Sequence, residues 1–87
     1  MNFKKTIANS LALPKEVVLQ LPLVTLLGRE ELSIENHKGI LLYSENCIRI
    51  ATKIGTMELT GTTLSLKQLG GDILIVHGTI DSILFLT

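Results

Sequence analysis

Beyond Pro22 the sequence settles into an alternation of apolar and polar residues, and this alternation limits the folds that the chain can adopt. Leu32 and Ile34 alternate with polar neighbours, and the same pattern recurs at residues 48–50, 57–59 and 64–66. Successive side chains of a β-strand point to opposite faces, so the pattern indicates strands with one buried face and one wet face. Glycine, which reaches the positive φ of tight turns without strain, punctuates the gaps. The sequence predicts an all-β fold, a small antiparallel β-sandwich of about seven or eight short strands.

A repeat lies within this pattern, because similar residues recur every 16 positions. The apolar series is Leu32, Ile48, Leu64 and Ile80, and a glycine series follows the same step at Gly39, Gly55 and Gly71. A regular meander explains the repeat if its strand-plus-turn unit of about eight residues is doubled. A short β-solenoid with one coil per repeat is the alternative. The residues at the presumed corners differ from repeat to repeat, which favours the meander.

The segment before the alternation has a different character, and we divide the chain into an N-terminal helical segment (residues 1–22) and a β domain (residues 23–87). Phe3, Ile7 and Leu11 fall at helical spacing, which predicts a short N-terminal helix. Together with Lys4 and Lys5 this helix could lie on a membrane surface, so a peripheral membrane adaptor is an alternative function. Polar residues interrupt the apolar stretch, so we do not interpret it as a signal peptide.

The composition points to an interaction surface. Hydrophobic residues make up 46% of the chain, aromatic residues only 3% and charged residues 18%, so the apolar content is almost entirely aliphatic. A thin sandwich cannot easily bury so many aliphatic side chains, and we expect some to form a partner-binding patch. The eight basic and eight acidic residues cancel. This balance argues against nucleic-acid binding, and it favours a homo-oligomer because copies of the chain repel each other little.

Two C-terminal segments, residues 73–76 and 83–86, are apolar without interruption. A continuous apolar run is typical of a strand that is buried on both faces. One sheet face of a thin sandwich should be wet, so either the N-terminal segment or another subunit is expected to cover this face. The sequence therefore predicts an interface at the C-terminal strands.

The residues that could carry chemistry do not form a recognisable motif. His37 and His77 lie 10 and 30 residues from Cys47, which matches no zinc pattern, and both histidines are predicted in turns. Cys47 begins a predicted strand and is expected to pack as a small apolar residue. Glu30 and Glu31 are adjacent, so their side chains would point to opposite faces of a strand. We predict no catalytic, metal-binding or cofactor-binding residues, and no enzyme activity.

The pattern of residues resembles a known family. The string Ile34-Glu35-Asn36-His37-Lys38-Gly39-Ile40, with residues 13–18, 21–22 and 28–33 before it, is similar to the YabP/YqfC family of sporulation proteins and most similar to its YqfC branch. Residues 48–50, Gly55, residues 59–61 and Leu64 also look similar. The resemblance covers most of the chain, from about Leu13 to Phe85.

The resemblance implies a small β-sandwich-like domain that acts in endospore formation without a known enzyme activity. It implies other sporulation proteins as partners, and a place in the cytoplasm of a sporulating bacterium or at the membrane around the forespore. It also draws attention to a polar loop as a candidate partner-docking site, formed by Glu35, Asn36, His37, Lys38 and Gly39. Turn chemistry is the alternative explanation of this loop, with Gly39 at positive φ and the charged residues facing water.

Overall fold

The computed structural model of the protein describes residues 19–86, which form six β-strands and no helix. The strands are β1 (Leu23–Leu27), β2 (Glu31–Glu35), β3 (Gly39–Tyr43), β4 (Cys47–Thr52), β5 (Gly55–Leu69) and β6 (Ile73–Leu86). The helix predicted within residues 1–22 lies almost entirely outside the described residues. The all-β prediction is confirmed.

The strands form one antiparallel sheet in the order β1-β2-β6-β5-β4-β3. The chain from β3 to β6 is a meander, and β2 lies between β1 and β6 rather than beside β3, the strand that follows it in sequence. Every strand pair in this sheet is antiparallel. A β-solenoid stacks its coils through parallel pairs, so the solenoid alternative is wrong.

Strands β5 and β6 form one long hairpin, which explains why the structure has fewer strands than predicted. Residues 57–59 and 64–66 were expected in separate strands, but both belong to β5, and the two C-terminal apolar runs both belong to β6. Two bulges in the hairpin, at Thr60/Gly61 and between Thr62 and Ser65, bend the strands without ending them. Gly61 and Gly78, which were predicted in turns, lie within strands at this corner of the hairpin.

The corner needs glycine because two backbones approach each other there. A Cβ atom at Gly61 would collide with the carbonyl oxygen of Thr79, across the hairpin. A Cβ atom at Gly78 would lie 2.7 Å from the carbonyl oxygen of Thr63 and 2.9 Å from the Cα of Leu64, and Gly78 also has a φ of 134°. The hairpin can therefore bend only where both strands lack a side chain.

The two halves of the hairpin pair with different strands. Strand β4 pairs with residues 55–60 of β5, while β2 pairs with residues 73–77 of β6. The other half of each strand pairs only within the hairpin: residues 65–69 of β5 pair with β6, and residues 82–86 of β6 pair with β5. Together with β1 and β3, these two segments are the edges that the described sheet leaves open.

A single apolar core contains residues from both halves of the hairpin and from β2 and β4. Its members are Leu32, Ile34, Ile48, Ile50, Met57, Leu59, Leu64, Leu74, Val76 and Ile80. All four residues of the apolar series at 16-residue spacing belong to this core. The repeat therefore reflects one inward-facing position in each of four strands, and it does not correspond to the coils of a solenoid.

The C-terminal runs are less buried than their composition predicts. In the first run Leu74 and Val76 are buried, whereas Ile73 and Ile75, on the other face of the strand, are half-buried. In the second run Leu84 and Phe85 are about half exposed, at 52% and 47%. The described residues therefore do not bury both faces of residues 83–86, and the predicted interface at these strands stays a prediction.

Candidate interaction site

The predicted partner-docking loop connects β2 to β3, and it holds part of its own chain. Glu35 ends β2 and Gly39 begins β3. Asn36 has a φ of 65°, and its side-chain Nδ2 donates a hydrogen bond to the carbonyl oxygen of Leu21 at 3.0 Å. Lys38 Nζ donates to Oε1 of Gln20 at 3.0 Å. The loop thereby fixes the residues that lead into β1.

The same loop is also tied to the sheet through its backbone. The amide of Asn36 donates to the carbonyl of Asp72 at 3.1 Å, and the amide of Lys38 donates to the carbonyl of Ala51 at 2.7 Å. Gly39 has a φ of 127°, as the turn-chemistry interpretation expects. These contacts link β2, β3, β4 and the turn before β6. They account for much of the loop's polar character, and its docking of a partner stays a prediction.

His37 is held in one orientation by this loop. Its Nδ1 accepts a hydrogen bond from the amide of Gly39 at 3.0 Å, which places the proton of the neutral ring on Nε2. The Nε2 atom is buried and has no hydrogen-bond partner among the described residues. The residue thus pairs one ring nitrogen with the turn and leaves the other against the protein interior.

The remaining residues considered for chemistry lie on different elements. Cys47 begins β4 and is half-buried. His77 lies within β6 rather than in a turn, because the bent hairpin continues through it, and its Nδ1 is 3.5 Å from Oε1 of Glu31. Glu30 precedes β2, and its carbonyl accepts the amide of Gly78. Between residues 19 and 86 the structure has no cluster of three or more histidine, cysteine, aspartate or glutamate residues that could hold a metal.

A shallow cavity that sequence analysis missed lies between the end of β1 and the second half of β6. It has a volume of about 270 Å³ and is mostly apolar, with Leu26, Ile80 and Ile83 in its lining. Arg29 stands at this cavity: its Nη2 is 2.9 Å from Oδ1 of Asp81, and its Nε donates to the carbonyl of Ile80 at 3.1 Å. No local sequence pattern predicts this cavity, because the residues that line it are about 50 positions apart in the chain.

The face of β4 and β5 that points away from the core carries an ion pair. Arg49 Nε lies 2.8 Å from Oε2 of Glu58, its directly opposed residue on β5. The hydrogen bond that Arg49 donates to Glu58, together with the negative charge of Glu58, raises the pKa of Arg49. Leu42 and Leu84 flank this pair on either side in the cross-strand row. The row therefore places an ion pair between two exposed leucines.

The most exposed apolar surface is the edge strand β3. Four consecutive residues of β3 have exposed side chains: Ile40, Leu41, Leu42 and Tyr43. A bulge between Ile40 and Leu42 leaves Leu41 without a partner on β4, and Leu41 is 60% exposed. The strand contains no charged residue and no proline. Charged residues and proline are two of the means by which an edge strand avoids pairing with other chains, and a bulge, which β3 has at Leu41, is a third.

The structure places no helix that could span a membrane within residues 19–86. No solved structure matches the chain. The chain is similar to the uncharacterized protein YqfC of Bacillus subtilis (strain 168), with 36% identity over 78 residues, which cover 90% of this chain and 84% of that protein. The model of the YabP family matches residues 20–87. This span includes all six strands, the polar loop between β2 and β3 and the exposed edge, and the chain belongs to the YabP family.

Proposed function

We propose that this protein is a non-catalytic structural or assembly protein of bacterial endospore formation, acting through protein–protein interaction and self-association. The setting comes from the family resemblance. The mode of action rests on one observation, the uncharged apolar edge at β3 in a chain without net charge. A chain with these properties associates readily with other strands.

The exposed apolar side chains extend beyond β3 and support an interaction role. The large exposed hydrophobic residues of the described chain are Leu19, Leu26, Leu27, Ile40, Leu41, Leu42, Tyr43, Ile54, Leu69, Leu84 and Phe85. Six of them, those of β3 together with Leu84 and Phe85, lie on the half of the sheet formed by β3, β4 and the ends of the long hairpin. The concentration of exposed large apolar residues on this part of the sheet favours an interaction role.

We infer that the two halves of the sheet pack as the layers of a small sandwich. The two bulges at the hairpin corner support this inference, because bulges and bends are how a strand passes from one layer to the next. The core supports it too, since Leu32 and Ile34 from one half and Ile48 and Ile50 from the other are all completely buried. A sandwich filled in this way leaves its outer faces and edges for partners.

A non-catalytic role is supported by the separation of the reactive residues in the fold. His37 is held by its own turn, His77 pairs with Glu31, and Cys47 lies at the start of another strand. If the proposal is right, the variant that combines His37→Asn, Cys47→Ser and His77→Gln restores spore formation to a deletion strain as the wild type does. Loss of function in this variant, with its fold intact by circular dichroism, would show that these residues carry chemistry.

The role in endospore formation is tested by deleting the gene in an endospore-forming host. We expect normal vegetative growth and fewer heat-resistant spores, with recovery when the wild-type gene is returned. A full yield of heat-resistant spores from the deletion strain would remove the proposed setting. Size-exclusion chromatography with light scattering tests self-association separately, and a purified chain that stays monomeric at every concentration would remove that part of the proposal.

We propose other sporulation proteins as partners, and the cytoplasm or the membrane around the forespore as the place of action. Peripheral membrane contact is the alternative, and the residues that suggest it precede Leu19, outside the described part of the chain. Flotation with liposomes that contain anionic lipid tests it, using the full chain and a variant that lacks residues 1–11. Binding that the deletion abolishes would support contact through this segment, and binding that survives would exclude it.

A further inference from the structure

Residues 19–86 leave four strand edges unpaired among themselves, and these edges differ in how well they are protected. The segment of residues 65–69 carries Lys67, a charge of the kind that discourages strand pairing. Residues 82–86 are uncharged, but they begin beside Asp81, whose carboxylate binds Arg29 at 2.9 Å. The two other edges are β1 and β3, and neither contains a charged residue.

We propose that β3 pairs with β3 of a second copy of this chain, antiparallel, around a two-fold axis through Leu41. The pairing would join two six-stranded sheets into one continuous sheet. The inference rests on the self-association proposed above, and it names the surface and the partner. Because the same strand contributes from both sides, the interface closes on itself and produces a dimer rather than a filament.

The pairing opposes apolar residues throughout. With Leu41 on the axis, Ile40 faces Leu42 of the second copy, and Gly39 faces Tyr43. Directly opposed apolar pairs are the units that stabilise antiparallel sheets. The bulge that separates Leu41 from β4 exposes its side chain, so the residue on the axis is the most accessible of the four.

The charges that flank β3 select this arrangement over two others. Lys38 precedes the strand and Glu45 follows it closely, so antiparallel self-pairing places each lysine beside a glutamate of the other copy. Parallel self-pairing would instead bring the two lysines together. Antiparallel pairing of β3 with β1 of another copy would place Lys38 beside Gly28 and Arg29, whose charge is already paired with Asp81, so this arrangement gains no attractive pair. Like charges at such positions disfavour a pairing.

The dimer is expected to be concentration-dependent. An edge of five residues is about 17 Å long, and pairing there buries less than the roughly 800 Å² per partner of a standard stable interface. Light scattering and sedimentation should therefore follow the full chain from about 10 to about 500 µM, the range in which weak complexes form. We expect a change from monomer to dimer within this range.

Leu41→Lys and Leu27→Lys are a matched pair of tests. Both residues are well exposed, at 60% and 67%, and each lies on an uncharged edge strand, so neither variant should unfold the chain. Leu41→Lys places two lysines opposite each other on the axis and should leave a monomer at all concentrations. Leu27→Lys alters β1 and should dimerise like the wild type. If Leu27→Lys blocks the dimer and Leu41→Lys does not, this inference fails and self-association stands.

Charge exchange provides a test that a change in folding would not mimic. Lys38→Glu and Glu45→Lys should each weaken the dimer by about tenfold, because two attractive pairs become repulsive. The double variant restores opposite charges and should bring the dissociation constant back to within about threefold of the wild type. If the two changes weaken the dimer independently and the double variant is worst, the antiparallel register is wrong. A wild-type chain that never dimerises would remove both this inference and the proposed self-association.

Discussion

The corner of the long hairpin makes the sharpest prediction about stability. In Gly61→Ala the new Cβ collides with the carbonyl oxygen of Thr79 and lies 2.9 Å from Cδ2 of Leu64. The leucine side chain can move, but the carbonyl belongs to a backbone that is hydrogen-bonded across the hairpin. Overpacking of this kind costs about 1–3 kcal/mol or more, and the immobile backbone places this case near 3 kcal/mol.

That cost is large for so small a chain. At about 0.05–0.15 kcal/mol per residue, the total stability of 87 residues is roughly 4–13 kcal/mol. A domain of this size loses about 4–8 °C of melting temperature per kcal/mol, so a loss of about 3 kcal/mol lowers Tm by about 12–24 °C. Gly78→Ala should behave similarly, because it adds a side chain at positive φ to a close approach.

Gly71→Ala is the matched control for the corner glycines. A Cβ atom at Gly71 would meet nothing within 4 Å, and Gly71 is not in the left-handed region. Thermal unfolding followed by circular dichroism should place Gly71→Ala within about 0.5 kcal/mol of the wild type. If Gly61→Ala and Gly71→Ala have the same melting temperature, β5 and β6 are not in close contact at Gly61 and the described bend of the hairpin is wrong.

Two further variants test the core and the loop. Ile48→Ala removes a fully buried side chain and should cost about 2–5 kcal/mol in urea denaturation, while Leu84→Ala, at 52% exposure, should cost less than about 1 kcal/mol. Equal costs would place Ile48 outside the core. Asn36→Ala loses the bond to Leu21 and forces alanine to positive φ, so we expect a loss of about 1–3 kcal/mol and faster amide exchange in β1. Asn36→Gly separates these effects, since it tolerates the positive φ and removes the side chain that bonds to Leu21. An unchanged exchange rate in both variants would mean that the loop does not hold β1.

Alternation in the sequence was sufficient to predict the class of fold and much of the core. Leu32, Ile34, Ile48 and Ile50 were identified as inward-facing, and all are completely buried. This success has a simple cause, because the side-chain period of a strand is a local property that each short segment displays by itself. The period identifies the buried face without any knowledge of which strand is the neighbour.

The number of strands could not be predicted in the same way. In the sequence Gly61 and Gly78 look like turn residues, yet each lies in a strand that continues through a bend. A glycine required for positive φ and a glycine required for close contact look the same in a sequence. Only the approach of Thr79 to Gly61 and of Thr63 to Gly78, from the facing strand, distinguishes the two cases.

The polar loop shows that a distinctive stretch of sequence can have structural contacts that the sequence alone does not reveal. Asn36 and Lys38 bind Leu21 and Gln20, residues that no pattern in the sequence connects to the loop. A second loop joins them, since Lys53 Nζ donates to the carbonyl of Leu19 at 2.7 Å. The stretch before β1 is thus held from two turns. The unusual residues of the loop have a structural task that is independent of any partner.

The edge strands of the sheet could not be predicted from the sequence, and the proposed function depends on one of them. A strand inside a sheet and a strand at its edge share the same alternation, and the difference depends on strand order, which is a property of the whole fold. In β3 the alternation fails, because four apolar residues follow one another. A continuous apolar run predicts burial on both faces, whereas the structure places this run at an exposed edge. The two statements are reconciled if the chain that completes the burial of β3 is another molecule.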